Sequence, residues 1–105
     1  MNISALSQLQ GLLTRAFQSP YWVVLLCATK EEALQYREGL AFWLPVGTQF
    51  SGRTASSCGR HVSVVSVTED FFLPPGVPFL LGYLGAGSAY AQEARTWSSK
   101  AKGFL

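Results

Sequence analysis

The strongest constraint on the fold is an uninterrupted apolar run of eight residues, Tyr21 to Ala28. It is far shorter than the roughly 20 residues that a membrane-spanning helix needs. β-Branched and aromatic residues fill its first half, and Pro20 directly before it would end a preceding helix. We therefore predict a β-strand. Because the run has no polar face, the strand is expected to be covered on both sides.

Helices are predicted on either side of this strand. Before it, apolar residues recur at the i, i+3, i+4 spacing of a helix running from about Ser4 to Gln18. These residues are Leu6, Leu9, Leu13, Ala16 and Phe17. After it, Thr29 and Glu32 have the spacing of a capping box, so a second helix is predicted to begin there and to run to about Leu44.

The second half of the chain has the pattern of strands and one last helix. We predict a hairpin of Thr48 to Ala55 and Arg60 to Thr68 with residues 56–59 as its turn, then a strand from Phe79 to Leu84 and a helix from about Ser88 to Lys102. In the second hairpin strand the valines change face, which indicates either a bulge or a central strand buried on both sides.

The element order α-β-α-β-β-β-α indicates an α+β fold. We predict two layers, with three helices and a sheet of about four strands that is mixed or mainly antiparallel. The chain has 105 residues, and no repeat or linker divides it, so residues 1–105 are predicted to form a single domain. The strand order does not follow from the sequence.

Composition narrows the classes of function. Only 13% of residues are charged, against about 25% in an average domain, which argues against disorder. The net charge of +2 is too small for the strong basic field of a dedicated nucleic-acid binder. With two cysteines and no recognisable signal peptide, the expected setting is reduced and cytoplasmic. Residues 71–92 carry no charge, but three prolines and four glycines interrupt them, so no membrane partner is predicted.

Cys58, Arg60 and His61 are the candidates for catalysis. Cys58 and His61 have the spacing of half a zinc site, but the remaining ligands are missing, so we predict no metal and no cofactor. The alternative is a thiol nucleophile, with His61 as its base and Arg60 lowering the thiol pKa. Residues of these types at the end of a hairpin are more commonly exposed turn residues without a chemical role.

Two further patterns are compatible with phosphate binding. Gly85 and Gly87 precede Ser88 where a strand is followed by a helix, but the third glycine of a dinucleotide fingerprint is absent, and a tight turn with a cap explains them. Arg53 and Arg60, one on each strand of the predicted hairpin, could contact a phosphate backbone. Two arginines are few for that task, so a nucleic-acid partner is possible but not favoured.

Aromatic residues point to a protein partner. Three Trp, four Tyr and seven Phe are difficult to bury completely in a domain of this size. Phe71, Phe72 and Leu73 form the expected exposed patch, because they precede two prolines in a loop.

The sequence therefore favours a small non-catalytic binding protein with an accessory, regulatory or inhibitory role. It is expected to act through an apolar, aromatic surface, as a homodimer or with another protein. A small enzyme using Cys58 and His61 is the alternative, and a nucleic-acid-binding module using Arg53 and Arg60 is the third hypothesis.

Overall fold

A computed structural model describes residues 3–85 and 87–105, except for the side chains of residues 3–6 and 88. Its elements in chain order are α1 (Ile3–Ala16), β1 (Trp22–Cys27), α2 (Lys30–Leu40), β2 (Gln49–Ser51), β3 (Thr54–Ser57), β4 (Arg60–Ser66), β5 (Phe79–Tyr83), α3 (Arg95–Lys100) and β6 (Gly103–Phe104). A single 3-10 turn, Gly87–Ala89, follows β5.

The strands form one mixed sheet in the order β2-β3-β4-β1-β5-β6. The apolar strand β1 lies between β4 and β5 and runs parallel to both, and β6 is parallel to β5. The strands β2, β3 and β4 form an antiparallel meander. Because β4 and β5 are parallel, residues 67–78 must return from the carboxyl edge of the sheet to its amino edge. This return segment becomes one wall of the site described below.

Both faces of β1 are buried, as its sequence predicts. Val23, Leu25 and Cys27 pack under α1 and α2, whereas Val24 and Leu26 point to the opposite face. There they meet residues of α3, of the turns before it and of the return segment. Helical cover on the second face adds a layer to the two that were predicted.

The strand β4 shows why its valines change face. Val62 and Val64 belong to the core under α1 and α2, and Val65 belongs to the core on the other side. All three are fully buried. Of the two predicted explanations, the central strand buried on both sides is the correct one.

The Thr29 half of the predicted capping box forms. The Thr29 hydroxyl accepts a hydrogen bond from the Glu32 amide at 3.1 Å, and α2 begins at Lys30. The helix ends at Leu40, four residues before the predicted end, because the Phe42 and Trp43 amides bond to carbonyls three residues back. Such bonds tighten the last turn and end an α-helix.

The α+β class, the three helices and the mixed sheet are confirmed, but the described part of the chain contains six strands instead of about four. The first strand of the predicted hairpin is itself a hairpin, because Gly52 has φ +58° and reverses the chain between β2 and β3. Cys58 and Gly59 alone form the next turn, with φ of +54° and +76°. The two-residue strand β6 was not predicted.

The predicted last helix is much shorter than expected, since α3 covers six residues. The preceding segment is fixed by the Tyr90 hydroxyl, which lies 2.6 Å from the carbonyl oxygens of Leu26 and Leu84 and accepts from the Leu84 amide at 3.0 Å. Tyr90 therefore links the carboxyl ends of β1 and β5, and burial raises its pKa above the ordinary value.

Candidate functional site

A cavity of about 520 Å³ lies between the return segment 67–78 and α3. Its aromatic lining is centred on Trp97 of α3. The Trp97 ring stacks on Phe71 with centroids 6.2 Å apart and meets the edge of Phe79 at 5.9 Å. We refer to this cavity as the aromatic cleft. Its volume falls within the range of about 300 to 1,000 Å³ that is typical of ligand-binding pockets.

The predicted apolar patch lines the aromatic cleft, but its three residues play different parts. Phe71 and Leu73 are half-buried and pack against the core, whereas the Phe72 side chain is 81% exposed. Farther along the wall, the Val77 amide bonds to the Pro74 carbonyl, and Gly76 supplies the φ of +81° that this turn requires. Phe71 and Leu73 thus fix this wall of the cleft to the core, and the Phe72 ring projects from it.

The rim of the aromatic cleft is charged. Glu93, Thr96 and Lys100 line it from the α3 side. The spacing of Tyr90, Ala94 and Trp97 in the sequence predicts one apolar stripe of a helix, but the sequence does not indicate that Glu93 and Lys100 are rim residues. Their identification requires knowing which part of the chain lies opposite α3.

The return segment is held in place by an ion cluster around Glu69. One carboxylate oxygen lies 3.3 Å from both Arg37 Nη2 and Arg53 Nε, and the other accepts from the Ser66 amide at 2.7 Å. Burial alone would raise the pKa of Glu69, but the Ser66 amide and the two guanidinium groups outweigh it and hold that pKa below its usual value. The cluster joins α2, the β2–β3 turn and the start of the return segment.

Arg53 and Arg60 lie at opposite ends of the β3–β4 hairpin. Arg53 precedes the first residue of β3, whereas Arg60 pairs with the last, Ser57. Arg60 donates to the Ser19 carbonyl at 3.2 Å, so both side chains make intramolecular contacts. The structure does not bring the two candidate phosphate ligands together.

A second, smaller cleft of about 180 Å³ lies beside His61. The imidazole stacks on Trp22 with centroids 4.5 Å apart, and its Nδ1 lies 2.7 Å from Ser56 Oγ. Arg60 also lines this cleft, and Val77 lines both cavities. The two therefore adjoin, and we refer to the smaller one as the histidine cleft.

The hydrogen bonds assign His61 to Ser56 rather than to Cys58. Cys58 is exposed in its turn and lies 3.8 Å from Ser57 Oγ. Cys27 is fully buried, and burial raises the pKa of its thiol to about 12, so it is protonated at neutral pH. Within residues 3–85 and 87–105, no group of three or more His, Cys, Asp or Glu side chains could hold a metal ion.

Gly85 and Gly87 have structural partners. The Gly85 amide donates to Gln8 Oε1 at 2.9 Å, and the Gly87 amide bonds to the Gly85 carbonyl. A Cβ atom on Gly87 would lie 2.7 Å from Tyr83 Cβ, which explains why this position lacks a side chain. The Ser88 side chain, the third residue of this candidate site, lies outside the described part of the structure.

Comparisons with known proteins add no assignment: no protein-family model, curated protein or solved structure matches the chain. None of the helices formed by the described residues has the length and hydrophobicity of a membrane-spanning segment.

Proposed function

We propose that this chain is a non-catalytic binding module that holds an apolar segment of a partner protein in the aromatic cleft. The observation that supports this proposal is the exposed Phe72 ring at the mouth of a cleft that is already lined by Phe71, Phe79 and Trp97. A small molecule inside the cleft would leave the outer face of Phe72 in water. A protein segment would fill the cleft and also cover the outer face of Phe72.

The arrangement matches the anatomy of protein interfaces. Aromatic residues form its centre, and charged residues stand at its edge, which is the distribution found around binding hot spots. Accessory, regulatory or inhibitory action in the cytoplasm belongs to the same proposal. The enzymatic alternative has less support, because among the described residues no hydrogen bond joins Cys58 to His61.

A peptide selection tests this proposal. A phage-displayed library of random 12-residue peptides would be selected against the wild type, and the binding of labelled peptides would be measured by fluorescence anisotropy. We expect Phe72→Ser to weaken binding at least about tenfold, since truncation of a central aromatic residue at an interface usually has an effect of that size.

Phe42→Ser is the matched control, because Phe42 is 83% exposed and does not line the aromatic cleft. It should leave peptide affinity unchanged. Equal affinity of the selected peptides for wild type and Phe72→Ser would contradict the proposal, as would a library that yields no binder. Both replaced rings are exposed, so both variants should fold.

Self-association is the second interaction we propose, and a separate surface supports it. Phe42, Val46 and Phe50 are exposed within nine residues of chain that run from the end of α2 into β2. In the described structure, β2 is an edge strand that pairs only with β3. Exposed apolar residues beside an open strand edge favour pairing with a second copy.

We expect a dimer at micromolar concentration by light scattering, with an interface of about 1,200 Å² or more. Phe50→Lys should give a monomer, because it places a charge at the centre of the edge strand. Phe72→Ser should remain dimeric. A wild type that is monomeric at high micromolar concentration would disprove self-association without affecting the cleft proposal.

A further inference from the structure

We infer that the aromatic cleft is electrostatically polar and binds its partner in one orientation, with a basic residue of the partner at Glu93 and an acidic residue at Lys100. This inference rests on the proposed function of the cleft. It specifies the chemistry of the partner segment: an apolar centre between charges of opposite sign.

The two walls of the cleft run in the same direction. The return segment leaves β4 at Ser66 and reaches β5 at Phe79, from the carboxyl edge of the sheet to its amino edge. The segment that contains α3 also runs from the carboxyl edge of the sheet to its amino edge. It starts at Tyr90, which is bonded to the carboxyl ends of β1 and β5, and ends where the Lys102 amide donates to the Phe79 carbonyl at 2.8 Å.

This direction places the rim charges at opposite ends. The Ala94 amide bonds to the Tyr90 carbonyl and the Arg95 amide to the Gln92 carbonyl, so turns at residues 90–94 lead into α3, which ends at Lys100. Seven residues at about 1.5 Å of rise each place Glu93 and Lys100 roughly 10 Å apart along the cleft. An extended segment spans that distance in about three residues.

The surroundings leave Glu93 as the acidic residue of the lining that a partner can reach. Glu69, the other acidic residue of the lining, is held by Arg37 and Arg53, and these three side chains together carry a net positive charge. At the Lys100 end, Val77 leads into the histidine cleft, where Arg60 lines the wall. Positive charge therefore continues beyond Lys100, whereas a basic partner residue at the other end of the lining has Glu93 as its acceptor.

Charge complementarity of this kind fixes orientation more than it adds affinity. A partner segment with two basic ends or two acidic ends would meet one favourable and one repulsive charge. A segment with one charge of each sign satisfies both ends, but a given segment does so only in one direction. The partner should therefore carry one base and one acid, and exchanging the two within one segment should weaken its binding.

Charge reversal with a matched peptide tests the inference. Peptides selected against the wild type should carry one base and one acid on opposite sides of an apolar centre. Lys100→Glu should weaken such a peptide about fivefold at low salt, and replacing the peptide's acid with lysine should restore binding to that variant. Both changes in peptide affinity should become small at about 0.5 M salt, because salt screens ion pairs that are exposed to solvent.

Two further variants complete the test. The double variant Glu93→Lys, Lys100→Glu should bind a peptide selected against the wild type weakly, and it should regain affinity when the base and the acid of that peptide are exchanged. Arg95→Glu is the control, since Arg95 is exposed on α3 and does not line the cleft. It should leave the affinity of the selected peptides unchanged.

The outcomes separate the two proposals. Peptides that lose affinity to Phe72→Ser but carry no pair of opposite charges, or that bind Lys100→Glu as well as wild type, would overturn the polarity and leave the binding function standing. Peptides that bind Phe72→Ser as tightly as wild type would contradict both the binding function and the polarity of the cleft.

Discussion

Replacing Glu69 with alanine is expected to lower the free energy of unfolding by about 3 kcal/mol, because three partners lose their acceptor together. The Ser66 amide is left without its 2.7 Å bond, and two guanidinium groups lose their counter-charge. Both arginine side chains are partly exposed, so the effect stays near the lower limit for a broken buried ion pair. Urea denaturation measures the change.

Two variants isolate the cause. Glu69→Gln keeps an acceptor for the Ser66 amide and should lose only about half as much stability. Asp70→Ala removes the neighbouring carboxylate, which is exposed, and should change stability by less than about 0.5 kcal/mol. If Glu69→Ala were as mild as Asp70→Ala, the ion cluster would not anchor the return segment.

The effect should depend on pH in a known direction. The fold lowers the pKa of Glu69, so its contribution is complete above the unfolded value of about 4.3 and is lost as the pH falls through the folded value. The difference in unfolding free energy between wild type and Glu69→Gln should accordingly shrink in acid. A difference that grew as the pH fell would mean that the paired carboxylate does not stabilise the fold.

The sequence predicts well where its signals are local. The apolar strand β1, the capped start of α2 and the strand β5 all depend on residues within a few positions of one another, and all are confirmed. Gly52 lies inside the stretch Thr48 to Ala55, whose sequence pattern predicts one strand. The reversal between β2 and β3 becomes evident only from the positive φ of Gly52 in the structure. The parallel strand β6 depends on contacts with β5 more than 20 residues away.

The candidate site was predictable in part for the same reason. The segment Phe71 to Leu73 is recognisable as an apolar loop without any knowledge of the fold. The charged rim and the Ser56–His61 pair are not, because they depend on which elements face each other. The regular spacing of Tyr90, Ala94 and Trp97 indicated a helix face but gave no indication that the return segment would cover it.

Leu25→Ala and Leu26→Ala should each lower the free energy of unfolding by about 3 kcal/mol, within the range of about 2 to 5 for buried leucines. These neighbours on β1 point to opposite faces of the sheet, and both are fully buried. Leu25 packs with α1 and α2, so its effect tests a face covered by two regular helices.

Leu26 tests the other face, whose cover is the short helix α3, the turns around Tyr90 and the return segment. If that cover is as firm as the structure shows, the two substitutions have equal effects in urea denaturation, and Leu34→Ala, on the exposed side of α2, changes stability by less than about 0.5 kcal/mol. A small effect confined to Leu26→Ala would mean that the second face opens readily. The aromatic cleft belongs to that cover, so a firm Leu26 face implies a preformed cleft, which binds without the ordering cost of a mobile one.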